Sequence, residues 1–248
     1  MVKEVEGQDL LYKQFAKYYD LLYSKVLDHK EVAKTITKLA ERYGKSDGRD
    51  LLDIGCGTGA DLFYLRRKFN CTGVDINVMM LAIAKRNVRG VRFLKGDMQN
   101  LILNKRFDVI TILGSAIGYA ITYANLKKVF RTISRHLKPG GITIIEPWIE
   151  KGDFISGYID MDTYNSNNLK LARVSYSKKK GSTSIVEFGF LIAEKNKGIT
   201  YLKDVAVDGL FEDAKIIKMM GAVGLDACVI KNVKGSYRGR YIVGTKAV

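Results

Sequence analysis

The chain has 248 residues, 47% of them hydrophobic, with 41 basic and 26 acidic side chains and a net charge of +15. That is ample material for one large or two small cored domains, and it excludes a disordered or fibrous chain. Cys56, Cys71 and Cys228 are scattered and the histidines are His29 and His136, which excludes a disulfide framework and offers no metal cluster.

In chain order, the opening MVKEVEGQDLL has no signal-peptide apolar core, so the expected location is the cytoplasm. Apolar residues at helical spacing predict two N-terminal helices, over 8–27 and 30–43. There follow strand 50–55, helix 60–68, strand 71–75, helix 77–88, strands 91–95 and 107–113, helix 123–137 and strand 141–147. Strands alternating with helices predict a parallel sheet. Val109 to Leu126 is uncharged and just long enough to span a bilayer, but its Thr, Ser, Asn and Gly content fits a buried strand, a loop and a helix start, so no membrane is expected. Residues 153–208 break the rhythm with β-rich segments at 158–164, 169–177, 184–193 and 199–207, turned at Gly181 and Lys197-Gly198. Helix 210–221 and a terminal antiparallel hairpin, 225–233 and 239–246 about Gly235, return to the main sheet. Three parts are expected: residues 1–47 closing the site; a core of 48–150 and 209–248; and an inserted antiparallel sheet, 151–208, covering the acceptor or meeting a second copy of the chain. Dispersed lysines make the charge read first as a solvated surface and second as attraction to a polyanion.

The chemistry concentrates in LLDIGCGTG, Leu51 to Gly59, and in Val74-Asp75 about twenty residues on. Glycines at alternate positions let a ligand lie against bare backbone, and a helix start just beyond favours negative charge. Asp75, an acceptor-only side chain at a strand end, is placed to bind both ribose hydroxyls of an adenosine cofactor. Gly55, Gly57 and Ala60 also fit the loose dinucleotide pattern. Against a nicotinamide dinucleotide, Asp53 would repel a pyrophosphate, whereas it can hold the ammonium of a methionyl group. In Gly96-Asp97-Met98, Asp97 can accept from an adenine amine and Met98 can cover the ring.

DIGCGTG, GVDIN, GDMQ and HLKPGG, in this order and spacing, resemble a class I S-adenosylmethionine-dependent methyltransferase. FAKYYDLLY, SAIGY, EPW, ARVSYS and KGIT, with Leu210-Phe211 beyond, resemble more narrowly the N,N-dimethyltransferases of nucleotide-linked deoxyamino sugars. The resemblance implies an α/β fold: a Rossmann-like three-layer sandwich with a seven-stranded, mostly parallel sheet, two N-terminal helices and an inserted antiparallel cap. It implies S-adenosylmethionine as methyl donor, S-adenosylhomocysteine as product, no metal, and a small-molecule amine as acceptor. The cofactor set is Tyr19, Asp53, Gly55, Cys56, Gly57, Thr58, Asp75, Ile76, Met80, Asp97, Met98, Leu113, Gly114 and Ser115. Tyr119 and Tyr19 are the catalytic candidates, with Tyr23, Tyr119, Trp148, Tyr176, Arg238 and Arg240 toward the acceptor. Tyr19 and Tyr23, four apart, share a helix face. Where relatives have histidines in the inserted sheet, this chain has Tyr176 and Ala206. A nucleic-acid methyltransferase is the alternative. The loop after strand 107–113 reads LGSAIGY, without the Asn/Asp-Pro-Pro-aromatic element of amino-directed base methylases, which disfavours it. Both histidines are read as structural, His136 as a surface group or a partner of the C-terminal helix dipole.

Overall fold

The computed structural model describes residues 3–13, 15–23 and 27–248. Two sheets form the frame. The larger has seven strands: β2 (Asp50–Ile54), β3 (Asn70–Asp75), β4 (Arg92–Lys95), β5 (Phe107–Ile112), β6 (Leu137–Ile145), β11 (Leu225–Lys231) and β12 (Arg240–Lys246). Their order is β11-β12-β6-β5-β2-β3-β4, and β12 runs antiparallel between β11 and β6. Helices α2 (His29–Tyr43), α3 (Ala60–Leu65) and α4 (Val78–Asn87) cover one face around Ile36, Leu51, Leu62 and Ile144. Helices α5 (Tyr123–His136) and α6 (Asp213–Gly221) cover the other around Leu52, Ile110, Phe130 and Ile216. These are the expected three layers. β5 is buried at every residue, as a strand covered on both faces must be. No helix among the described residues is long and apolar enough to cross a membrane.

Local chemistry sets the ends of these elements. The Asp28 side chain accepts from the Lys30 and Glu31 amides and starts α2; Asn77 caps α4, and Thr122 caps α5. Pro139 sits inside β6, which begins at Leu137, four residues before the strand expected there. Lys138 in that segment is anchored by Asp108 at 2.8 Å, and Asp108 also accepts from the Asp50 amide at 2.9 Å. Burial raises the Asp108 carboxyl, but Lys138, the Asp50 amide and the Ser46 side chain together hold it below its ordinary range.

The second sheet has the order β1-β10-β9-β8-β7. Four strands are the expected insertion: β7 (Ile159–Asn165), β8 (Leu169–Lys180), β9 (Thr183–Glu194) and β10 (Gly198–Gly209), antiparallel throughout. The fifth, β1 (Lys3–Gln8), comes from the N-terminus and pairs parallel with β10.

The helix expected over 8–27 is therefore corrected. After β1, Asp9 turns the chain in the left-handed region at φ 57°. Short 3₁₀ turns at Leu10–Tyr12 and Ala16–Tyr18 follow, and then one short helix, α1 (Tyr19–Tyr23). Residues 14 and 24–26 of that stretch lie outside the described residues. Leu11, Tyr18 and Leu22 pack on Leu171, Phe190, Ile192 and Leu202 of the second sheet. Burying one such side chain contributes roughly 1.5–3 kcal/mol. Helix propensities differ by only about 0.7 kcal/mol per residue, so packing decides the conformation. The helix expected over 30–43 forms as α2.

Candidate functional site

The carboxyl ends of β2, β3, β4 and β5 converge on a cavity of about 490 Å³. Beyond β2 the chain turns through Gly55 and Gly57 at φ 78° and 52°. A Cβ on Gly55 would lie 2.9 Å from the Ala116 side chain, so only bare backbone fits there. The Gly57 amide donates to Asp75 Oδ2 and the Asn77 amide to Asp75 Oδ1, both at 2.8 Å. These backbone donors fix the carboxylate, which lines the cavity and can accept further hydrogen bonds. Burial raises the Asp75 pKa, and the amides of Asn77 and Gly57 oppose it.

Asp53 lies beneath, 2% exposed, and accepts from Thr111 Oγ1 at 2.8 Å. Burial, then the negative charge of Asp61, pushes its pKa up to about 8 despite the Thr111 hydrogen bond. A carboxylate so placed gains most from a cation beside it. Across the cavity lie Ile76, Met80, Asp97 and Met98, with Cys56 and Leu113 at its floor. Burial raises the Cys56 thiol, which leaves it unreactive.

The N-terminal segment covers this cavity. Thr58 Oγ1 donates to Asp20 Oδ1 at 2.7 Å, tying α1 to the glycine turn. His29 Nδ1 lies 2.8 Å from Asp61, tying the start of α2 to α3. Tyr12, Tyr19 and Tyr23 form a ring chain with centroids 5.6 and 4.5 Å apart. Tyr12 Oη lies 2.9 Å from Tyr119 Oη. Burial raises both phenols well above their ordinary range, so both are neutral donors and acceptors. Tyr119 stands on a 3₁₀ turn, Ala116–Ala120, flanked by Ser115 at φ 62° and Ile121 at φ 63°. A β-branched residue there is strained, and such strain is held only where packing over-determines the loop.

Tyr119, Tyr12, Tyr19 and Gly114 also line a second cavity of about 480 Å³, roofed by the inner face of the second sheet. Alternation along β8 turns Arg173, Ser175 and Ser177 inward, and along β10 it turns Asp204, Ala206 and Asp208 inward. The Arg173 guanidinium pairs with Asp162, donates to Tyr23 Oη at 3.0 Å and lies 5.1 Å from that ring. Trp148, past the end of β6, donates through Nε1 to Ser184 Oγ at 3.0 Å. Arg238 stacks over Trp148 and Tyr237 at 4.5 and 4.3 Å, and its buried Nε has no hydrogen-bond partner. Arg240 pairs with Asp213 at 3.1 Å and donates to the Trp148 carbonyl at 2.7 Å. Glu146 holds the wall together, accepting from the Gly114 amide at 2.8 Å and Ser236 Oγ at 2.7 Å.

The sequence-predicted residues therefore divide between the cavities. Asp53, Gly55, Cys56, Gly57, Thr58, Asp75, Ile76, Met80, Asp97, Met98 and Leu113 line the first; Tyr23, Trp148, Arg238 and Arg240 line the second; Tyr19, Gly114 and Tyr119 line both. Two placements are corrected. Ser115, grouped with the cofactor residues, faces the second cavity and donates to the Pro147 carbonyl at 3.2 Å. Tyr176 is on the outer face of the sheet, 41% exposed, because it neighbours the inward Ser175 and Ser177. Of the histidines, His136 is the last residue of α5, as one of its two readings has it, but is buried rather than at the surface, accepting from the Leu103 amide at 2.9 Å, and His29 lines the first cavity. Sequence reasoning passed over Asp9, Tyr12, Arg173 and Asp208. The signal for Arg173 was its place two residues from apolar Leu171, on one face of a strand.

Residues 51–141 match a family model described as a methyltransferase domain. The chain is 30% identical over 227 residues to dTDP-3-amino-3,4,6-trideoxy-alpha-D-glucopyranose N,N-dimethyltransferase of Streptomyces venezuelae, covering 91% of this chain and 94% of that one. It is 30% identical over 214 residues to dTDP-3-amino-3,6-dideoxy-alpha-D-glucopyranose N,N-dimethyltransferase of Streptomyces fradiae, covering 86% of this chain and 84% of that one. Among solved structures, DesVI of Streptomyces venezuelae superposes with TM-score 0.84 at 28% identity, over 94% of this chain and 98% of that one. The S-adenosylmethionine-bound amino pentose methyltransferase CalS10 of Micromonospora echinaspora gives TM-score 0.76 at 29% identity, over 89% and 90%.

Proposed function

This chain belongs to the S-adenosylmethionine-dependent methyltransferases, in the family of the nucleotide-linked amino-sugar N,N-dimethyltransferases, and on that premise we propose that it methylates the amine of a nucleotide-linked amino sugar. The observation that carries the reading is the meeting of the two cavities at Tyr119 and Gly114. One side suits a nucleoside with a charged amino-acid tail, and the other, with unpartnered Arg238 and several aspartates in its lining, suits a polar acceptor that carries both a phosphate and an amine.

The first cavity fits the donor on its own chemistry. Backbone bare of Cβ atoms runs past Gly55 and Gly57, a fixed carboxylate at Asp75 faces a diol, and buried Asp53 calls for an ammonium. Asp97 takes the adenine amine, while Ile76, Met80 and Met98 cover its ring; Cys56, Thr58 and Leu113 close the floor. The bound donor supplies an electrophilic methyl group. The chain supplies position: Tyr12, Tyr19 and Tyr23 exclude water, and the Tyr119 hydroxyl orients the amine. In-line attack by an amine calls for no metal. Arg238, with an unpartnered donor, grips an acceptor phosphate, and Trp148 flanks it. Arg240 is held by Asp213 and shapes the turn instead.

A small acceptor rather than nucleic acid is supported by the relatives' own acceptors. A chain that draws on S-adenosylmethionine and an activated sugar works in the cytoplasm, where both are made. Outward-facing Ile159, Met161 and Val174 give the second sheet an apolar outer face, and a second copy of the chain is the cover proposed for it. The test is formation of S-adenosylhomocysteine by pure protein given dTDP-3-amino-3,6-dideoxy-α-D-glucopyranose, the acceptor in a relative's name. Turnover that added tRNA does not inhibit supports the reading; labelling of tRNA without labelling of any amine overturns it.

A further inference from the structure

Of the carboxylates that line the acceptor cavity, Asp204, Asp9 and Asp208 differ in what they are committed to. Asp204 accepts from the amides of Leu11 and Val205, both at 2.9 Å, so its charge is spent on backbone. Asp9, on the left-handed turn after β1, has one buried oxygen without a partner. Asp208 is 7% exposed, and among the described residues its carboxylate has no hydrogen bond and no ion pair. Its main-chain carbonyl accepts from Ser184 Oγ at 3.4 Å. A carboxylate that lines the cavity with no protein partner is open to a ligand that donates to it.

Its position is specific. A Cβ on Gly118 would lie 2.7 Å from Asp208 Oδ1, so the carboxylate rests against the backbone one residue before Tyr119. Tyr119 is where the two cavities join. Ala206, the next inward residue on the same strand, leaves open space between Asp204 and Asp208. The charged groups that face Asp208 are Asp9 from the N-terminal turn and Arg238 from the C-terminal turn, with the Tyr119 phenol beside it. Arg238 lies outside ion-pair distance and does not neutralise it.

We propose that Asp208 is the catalytic base of this enzyme: its carboxylate binds the acceptor's ammonium group at the junction of the cavities and takes a proton from it before methyl transfer. This rests on the amine-acceptor reading above. An alkylamine is mostly ammonium near neutral pH and has no lone pair to attack with. In the step, one N–H bond breaks and an O–H bond forms on Asp208, leaving a neutral amine and a neutral acid. The nitrogen lone pair then forms the bond to the methyl carbon as the carbon–sulfur bond breaks, its electron pair staying on sulfur. The proton on Asp208 leaves to water when the products go. Burial, then the negative charge of Asp9, pushes the Asp208 pKa up to about 7 against Arg238, which suits exchange with an amine.

The experiment compares wild type with Asp208→Asn, close to it in shape, using dTDP-3-amino-3,6-dideoxy-α-D-glucopyranose across a pH range. The variant should lose roughly 10²-fold in kcat at neutral pH, regain it as alkali frees the amine, and bind S-adenosylhomocysteine as wild type does. Asp208→Ala should fall as far and recover over the same range. A variant with the wild-type pH profile overturns the inference while leaving the acceptor reading intact, as does an Ala variant that stays active where Asn fails. A wild type that binds S-adenosylhomocysteine yet methylates no amine overturns the acceptor reading, and this inference with it.

Discussion

The two cavities share a wall of tyrosines but are assembled in opposite ways. The cofactor side comes mainly from strand ends that follow one another in sequence, so Asp53, Gly55, Gly57 and Asp75 fall within one strand-turn-helix-strand unit. The acceptor side collects Asp9, Tyr23, Trp148, Arg173, Asp208 and Arg238 from separate segments brought together by sheet register. A site made by local backbone geometry tolerates little change in sequence. One made by convergence can be refitted residue by residue without disturbing the fold.

Substitutions can break or sharpen that contrast. Asp75→Ala should have the largest effect. It removes the acceptor for a diol and releases the Gly57 and Asn77 amides, so calorimetry should show S-adenosylhomocysteine binding weaker by roughly 10²-fold or more. Arg238→Ala should raise the acceptor KM by roughly tenfold to a hundredfold and leave that calorimetric affinity unchanged. If Arg238→Ala weakens the nucleoside as much as Asp75→Ala does, the two sides are not separate.

A smaller effect concerns pH. Asp53 stands at about 8 in the unliganded protein, above its ordinary carboxylate value. An ammonium beside it favours the charged form, so binding S-adenosylhomocysteine releases a proton below that pH and affinity falls on acidification. Calorimetry in two buffers of different ionisation heat reads the released proton, and Asp53→Asn should abolish it. The same raised pKa sets the sign for stability. Its contribution is full below the unfolded carboxylate value and is lost as pH rises through about 8, so the unliganded protein should melt lower across that interval. The smallest effect is expected at Tyr176. Tyr176→Ser should keep kcat/KM within about twofold, whereas Arg173→Met, which strips Tyr23 and Asp162 of their shared partner, should lower it by roughly tenfold.

These contrasts also explain what the sequence made legible. The glycine turn, Asp75 and the strand–helix alternation were readable because each expresses a local rule: φ sign, strand-end position, period. Most of the described residues up to Tyr23 were not. Leu10, Leu11, Tyr18 and Leu22 mimic helical spacing, but their apolar faces are claimed by a sheet nearly two hundred residues away. Tyr176 shows the same limit at finer scale, since one residue of register along β8 exchanges Ser175 for its neighbour and reverses the face. Asp208 carries no sequence signal at all; its meaning comes from Gly118, on another segment, leaving it room.

The most direct measurement is a tandem mass spectrum of dTDP-3-amino-3,6-dideoxy-α-D-glucopyranose after incubation with the pure protein and S-adenosylmethionine carrying a deuterated methyl group. The account predicts the label on the sugar nitrogen. Label on a hydroxyl or the base, or none on the nucleotide sugar while S-adenosylhomocysteine binds tightly, would contradict it.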